Sequence, residues 1–241
     1  MNRYPGGIAV FDGPAATLRH RMKRIASTIA VLSLLATATA ASGAISVLKT
    51  SFSTRSEYSS VKKLPGSPKA CKRSWRNKKS LGVVVKGGAT DCGLKTPVEG
   101  DAKLPNLIVK AAAKVTKETD KKVRDSAYVG VSVRSDRKGG YELRVFPKPR
   151  RWQLLKSGEV LAEDREKGIG GLDEKNRLEI SAIGSTVTAK VNGKRLNEFK
   201  DKNAEQVKAR GTGLTYGSRK KAKKAEGVAV FDNVKVQVPS S

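Results

Sequence analysis

Four groups of residues in this sequence have types and spacings suited to chemistry: one histidine, two cysteines, two strand carboxylates and a run of cations. His20 is the only histidine, and it precedes an apolar segment expected to be removed or to anchor the chain. The mature protein then has no Ser–His–Asp, Cys–His or histidine–metal chemistry. Cys71 and Cys92, without a nearby histidine, do not form a zinc site. As an even pair in an oxidising compartment they read as one disulfide, stabilising by roughly 3 kcal/mol through loop closure. Glu142 and Glu179 are weak catalytic candidates, because glycoside hydrolysis normally needs two carboxylates about 5–9.5 Å apart. Asp232-Asn233 could offer oxygens to Ca²⁺, but that ion takes about six to eight. A bulge-forming turn is the expectation there, and no metal or cofactor is expected. The run Arg219, Lys220, Lys221, Ala222, Lys223, Lys224 packs five cations into six residues. It reads either as a solubilising loop or as a contact for lipid headgroups and anionic wall polymer.

Charge and the N-terminus narrow the partners. The 241 residues carry 49 Lys+Arg against 22 Asp+Glu, a net +27, which favours anionic surfaces. Met22-Lys23-Arg24 opens a 24-residue uncharged run, Ile25 to Leu48, with small residues over Ala36–Gly43. A positive start, an apolar core and A-x-A-like sites such as Ala38-x-Ala40 predict a secretory signal. An uncleaved membrane anchor over residues 25–48 is the alternative. Either reading places the bulk of the chain outside the cytoplasmic membrane, secreted or in the cell envelope, where nucleic acid is not an expected partner. Cleavage near Gly43 removes five basic residues and one acidic one, leaving +23. The expected organisation is 1–43 extension and signal, 44–70 leader or linker, and 71–241 the folded domain, a monomer.

The elements that must position these groups repeat with period 2. Leu81–Lys86, Tyr128–Arg134, Tyr141–Phe146, Arg151–Lys156, Arg177–Ile183 and Thr186–Val191 alternate or run apolar, and Gly139-Gly140, Ser157-Gly158 and Asn192-Gly193 supply turns. Asn106–Val115 could be an alanine-rich helix, but Pro105 and its neighbours favour a long strand. A short edge strand at Ser51-Phe52-Ser53 is a further option. Leu214–Tyr216, Val228–Phe231 and Val234–Val238 complete an all-β, two-sheet antiparallel sandwich.

The order of motifs resembles the concanavalin A-like lectin/glucanase superfamily. The motifs are Val131-Ser-Val-Arg134, Gly140–Arg144, Trp152–Lys156, Asn176-Arg-Leu178, Val187–Gly193, Gly211–Gly217 and Val230-Phe-Asp-Asn-Val234. The series is nearest to the laminin-G-like jelly rolls and to the 3-keto-disaccharide hydrolase domains. The resemblance implies two stacked sheets, one concave, with sugars on the concave face of those members that bind them. The glucanase-type strand with several acids is absent, since Leu178-Glu-Ile-Ser-Ala182 has one.

Parity nominates that face. If Val129, Val131, Val133, Tyr141, Leu143, Val145, Trp152, Leu154, Val187, Ala189 and Val191 point inward, the opposite side carries Arg134, Glu142, Arg144, Phe146, Gln153, Thr188 and Lys190. Arg134, Glu142, Arg144, Gln153 and Lys190 form the expected ligand strip. They could equally be solvated outer positions, with Glu142 paired to Arg134 or Arg144. The expected function is an exported, non-catalytic module that binds glycan or anionic envelope polymer. The alternatives are a 3-keto-disaccharide hydrolase-type glycosidase and a structural envelope protein.

Overall fold

The computed structural model describes residues 44–64, 66–87, 91–97, 106–136, 139–204, 211–220, 222 and 224–239. Their strands form two antiparallel sheets. Across the first, in spatial order, lie β13 (Lys194–Lys200), β12 (Thr186–Val191), β11 (Asn176–Ile183), β6 (Leu107–Val115), β15 (Glu226–Pro239), β4 (Ser80–Lys86) and β3 (Cys71–Arg76), and β1 (Ala44–Thr50) also pairs with β15. Across the second lie β10 (Glu159–Arg165), β9 (Arg151–Lys156), β8 (Gly139–Phe146), β7 (Ala127–Asp136), β14 (Gly211–Ser218), β5 (Cys92–Lys95) and β2 (Lys62–Lys63). Two short helices, α1 (Arg55–Ser60) and α2 (Lys121–Arg124), sit in the connections.

Side-chain alternation builds the core between the sheets. Strand β6 buries Leu107, Val109, Ala111, Ala113 and Val115 while the residues between them face outward. Its alanines are poor strand formers, yet pairing on both sides by β11 and β15 overrides that preference. Tyr141 and Trp152 are buried in the core, as parity requires. Asn192 and Gly193 both take positive φ, 52° and 86°, and close the β12–β13 hairpin. Asn233, at φ 48°, marks a bulge in β15 between Asp232 and Lys235. Cys71 of β3 and Cys92 of β5 are bonded, with Cα atoms 5.6 Å apart, so the disulfide ties one sheet to the other.

The stretch 44–70 holds regular elements of its own. Residues 44–50 are strand β1, in register from Ala44 opposite Pro239 to Thr50 opposite Val234. Thr54 caps α1 in a reciprocal box with Glu57, and Phe52 and Val61 are fully buried in the core. Ser51-Phe52-Ser53 is therefore not an edge strand; Phe52 turns inward at φ 57°, just after β1 ends. Ala44–Leu48, counted above in the apolar run, pair with β15. Residues 25–43 lie outside the described residues. Among those described, no helix is long and apolar enough to cross a membrane.

Candidate functional site

Strand β8 carries the site. Tyr141, Leu143 and Val145 point into the core, so Glu142 and Arg144 project from the outer face of the second sheet. In register beside them lie Ser132 and Gly130 of β7, and Thr215 of β14 faces Gly130 from the next strand. Glycine at 130 is a packing requirement. A Cβ there would stand 2.7 Å from Thr215 Oγ1 and 2.8 Å from the Leu143 carbonyl. Its absence lets Glu142 and Thr215 lean together over β7.

Arg144 organises the polar groups. Its Nη2 donates to Glu142 Oε2 and to Asp91 Oδ2, both at 2.9 Å, and its guanidinium stacks 4.5 Å from the centre of the Tyr128 ring. The Tyr128 hydroxyl donates in turn to Asp91 Oδ1. Burial opposes the charge on Arg144, but Glu142 and then Asp91 outweigh it and raise its pKa. Burial, followed by the Glu142 charge, pushes the Tyr128 phenol well above its ordinary value, so it remains a donor. Glu142 Oε1, Arg144 Nε and Thr215 Oγ1 are buried and have no hydrogen-bond partner among the described residues.

These groups floor a cavity of about 320 Å³. Its walls are Leu64 and Ser67 on one side and the Gly139-Gly140 and Ser157-Gly158 turns on the other. The charged lining residues are Asp91, Glu142 and Arg144, two carboxylates against one guanidinium.

The strip expected from sequence is divided by the structure. Glu142, Arg144 and Gln153 share the outer face of the second sheet, with Gln153 directly opposite Arg144 in register. Gln153 is fully buried and its amide donates to Glu163, so it stands beside the cavity rather than in it. Lys190 lies on the other sheet, ion-paired to Glu179 at 3.0 Å. Glu142 and Glu179 therefore occupy different sheets and cannot flank one bond, and that expected pairing is corrected. Arg134 leaves the strip as well. At φ 45°, within a register shift of β7, it turns away and donates to the carbonyls of Gly184 and Ala204. Phe146 faces outward but is covered by Arg151 and Arg219, whose guanidinium carbons lie 5.0 and 5.5 Å from its ring centre. Arg219, Lys220 and Lys224 are exposed, Arg219 lying against the Phe146 ring, and Lys221 and Lys223 lie outside the described residues. Asp232 pairs with Lys175 at 3.0 Å. Among the described residues no cluster of three metal-ligating side chains occurs.

Sequence reasoning missed Asp91, Tyr128 and Thr215. For Tyr128 a signal existed: it shares the parity of Gly130 and is opposite in sense to Val129 and Val131. Asp91 had none, since it lies just before β5 and reaches Arg144 only through the fold.

No family model and no curated protein sequence matches the chain. Solved structures do share its fold. The CBM2 module of the evolved Dit of Lactobacillus casei BL23 phage J-1 aligns over 82% of this chain and 97% of its own, with TM-score 0.56 and 9% identity. A protein of unknown function with a galectin-like fold from Bacillus subtilis aligns over 81% and 97%, with TM-score 0.53 and 14% identity. The carbohydrate binding module CBM66 from Bacillus subtilis aligns over 74% and 95%, with TM-score 0.51 and 16% identity. The expected two-sheet antiparallel sandwich is the fold observed.

Proposed function

We propose that this chain is an exported, non-catalytic β-sandwich module that binds a neutral glycan in the cavity over β8, β7 and β14. The observation that carries the reading is that three residues lining the cavity, Glu142, Arg144 and Thr215, each keep a buried polar atom without a hydrogen-bond partner among the described residues. A sugar hydroxyl both donates and accepts, so it suits a floor that offers acceptors and a guanidinium side by side. The lining has one more negative charge than positive, which disfavours an acidic ligand there despite the basic chain. Two of the similar folds are a carbohydrate binding module and a CBM2 module, in agreement with this reading.

Export is supported by the basic start at Met22-Lys23-Arg24, the apolar run after it and the Cys71–Cys92 bond. A fusion of residues 22–50 to a reporter active only outside the cytoplasm tests it, and a silent reporter would sink it.

The binding reading is tested by calorimetry of the full chain against a panel of neutral oligosaccharides. Arg144→Ala and Glu142→Gln should each remove a charged hydrogen bond, costing about 1.5–3 kcal/mol, or roughly tenfold or more in affinity. Absence of any neutral ligand, or binding that survives both changes, would overturn it.

One observation favours a second reading, glycoside hydrolysis. Asp91 and Glu142 converge on the same Arg144 nitrogen, so two carboxylates border one cavity. Release of reducing ends that disappears in both Asp91→Asn and Glu142→Gln would replace binding by hydrolysis.

A further inference from the structure

Outward side chains on the first sheet fall into register lines that cross its strands. One line runs through Arg195, Lys190, Glu179, Lys110, Lys235 and Lys49, one residue from each of β13, β12, β11, β6, β15 and β1. It holds five cations and one acid. At the ordinary strand spacing of about 4.8 Å the six positions span about 24 Å.

The pairing within this line is unfavourable to the protein alone. Lys110 stands opposite Lys235, and Lys235 opposite Lys49. Like charges directly opposite one another in a sheet destabilise it. Glu179 relieves part of this by bonding Lys190 at 3.0 Å and Lys110 at 3.2 Å, and Arg195 is held by Glu198 at 2.9 Å. Lys235 and Lys49 form no ion pair among the described residues.

The neighbouring lines are nearly neutral. On one side lie Glu198, Thr188, Ser181, Ile108, Gln237 and Ser46. On the other, Arg177 and Ala112 are followed by Asp232. Cations arranged in a line, without a charged area around them, complement an extended chain better than a plane of headgroups. No aromatic residue stands in the line or in the two beside it, whereas single-stranded nucleic acid is usually held by base stacking on aromatics.

The geometry points to a second site: a track on the outer face of the first sheet for one extended chain of a carboxylate-bearing polysaccharide. Its carboxylates would meet Lys49, Lys235 and Lys110, replacing the missing counter-charge. The track and the cavity lie on different sheets, so either site can be lost without the other.

The test uses the full chain and polygalacturonate, with dextran, anionic vesicles and single-stranded DNA as comparison probes. The Lys49→Ser, Lys110→Ser, Lys235→Ser triple variant should bind polygalacturonate at least about tenfold more weakly and lower the log K against log salt slope by about 2. A triple Lys→Arg variant should retain binding, which shows that charge and not disruption is being read. Glu179→Gln should bind more tightly than the parent chain. Because the whole chain is basic, the decisive control removes equal charge elsewhere, at Lys79, Lys122 and Lys167. Equal weakening by that control, or tighter binding to vesicles or DNA than to polygalacturonate, would overturn the track.

Discussion

The Arg144 guanidinium lies 4.5 Å from the centre of the Tyr128 ring while one of its nitrogens reaches both Asp91 and Glu142 at 2.9 Å. One cation thus bridges two carboxylates and caps an aromatic face at the floor of the cavity. Arg144→Lys keeps the charge but loses the planar fork and the stacking. Urea unfolding should show Arg144→Lys less stable by about 1 kcal/mol and Arg144→Ala by about 2 kcal/mol. Equal stability of all three proteins would show that the cluster contributes nothing to the fold.

Gly217 is a second point of leverage on this cluster. A Cβ there would stand 2.6 Å from the Tyr128 hydroxyl and 2.8 Å from Asp91 Oδ1. Gly217→Ala should therefore part Tyr128 from Asp91, cost roughly 1–3 kcal/mol and weaken glycan binding. An alanine variant with unchanged stability and affinity would show that the close approach is dispensable.

The Cys71–Cys92 bond closes a separation of 21 residues. Breaking it with Cys71→Ser and Cys92→Ser should lower stability by about 3 kcal/mol. Non-reduced peptide mapping of exported protein should show the linked pair, and free thiols at both positions would count against it.

Asp201, just after β13 of the first sheet, meets the start of β8 and the end of β9 in the second. It accepts from the Tyr141 hydroxyl and from Lys156 at 2.7 Å, and it is 5% exposed. Burial alone would raise its pKa, but Lys156 and Tyr141 outweigh burial and hold it below the ordinary 3.8. A lowered carboxyl pKa stabilises the fold above the ordinary value, and that contribution is lost as pH falls through the folded-state value. Glu179, set between Lys190 and Lys110, is lowered in the same sense. Thermal unfolding should therefore be insensitive to Asp201→Asn at the acid extreme and clearly lowered by it at neutral pH. A stability difference independent of pH would exclude the linkage.

The basic loop and the line on the first sheet make separable predictions. Replacing Arg219, Lys220, Lys221, Lys223 and Lys224 by Ser should weaken adhesion to anionic vesicles steeply with salt, since the screening length falls from about 10 Å at 0.1 M to about 3 Å at 1 M. Thermal stability should change little. Adhesion indifferent to both salt and replacement would remove the loop as a contact.

Much of the fold was legible because strand alternation is a local signal. Val129, Val131 and Val133 bury together in β7 as their spacing demands. The N-terminal strand was not, because Ala44–Leu48 reads equally as the end of an apolar run, and only its pairing with β15 decides. Glu142, Arg144 and Gln153 were placed on one face by parity alone. Parity fails at Arg134, where a positive φ shifts the register, and it says nothing about which sheet holds Lys190 or Glu179. The partners that complete the site, Asp91 and Thr215, reach it through β5 and β14, whose placement beyond β7 in the sheet no local pattern encodes.

The pairing of β1 with β15 also sets a clock. Ala44 lies opposite Pro239, and β15 is the central strand that β6, β4 and β1 all require as a neighbour. During synthesis these three strands emerge long before the one that joins them, so the two parts of the first sheet, β13-β12-β11-β6 and β4-β3, cannot be united until β15 is made. Contacts of such long sequence separation fold slowly, so completion of the first sheet waits on β15 while local hairpins such as β11–β12 and β7–β8 can pair before it.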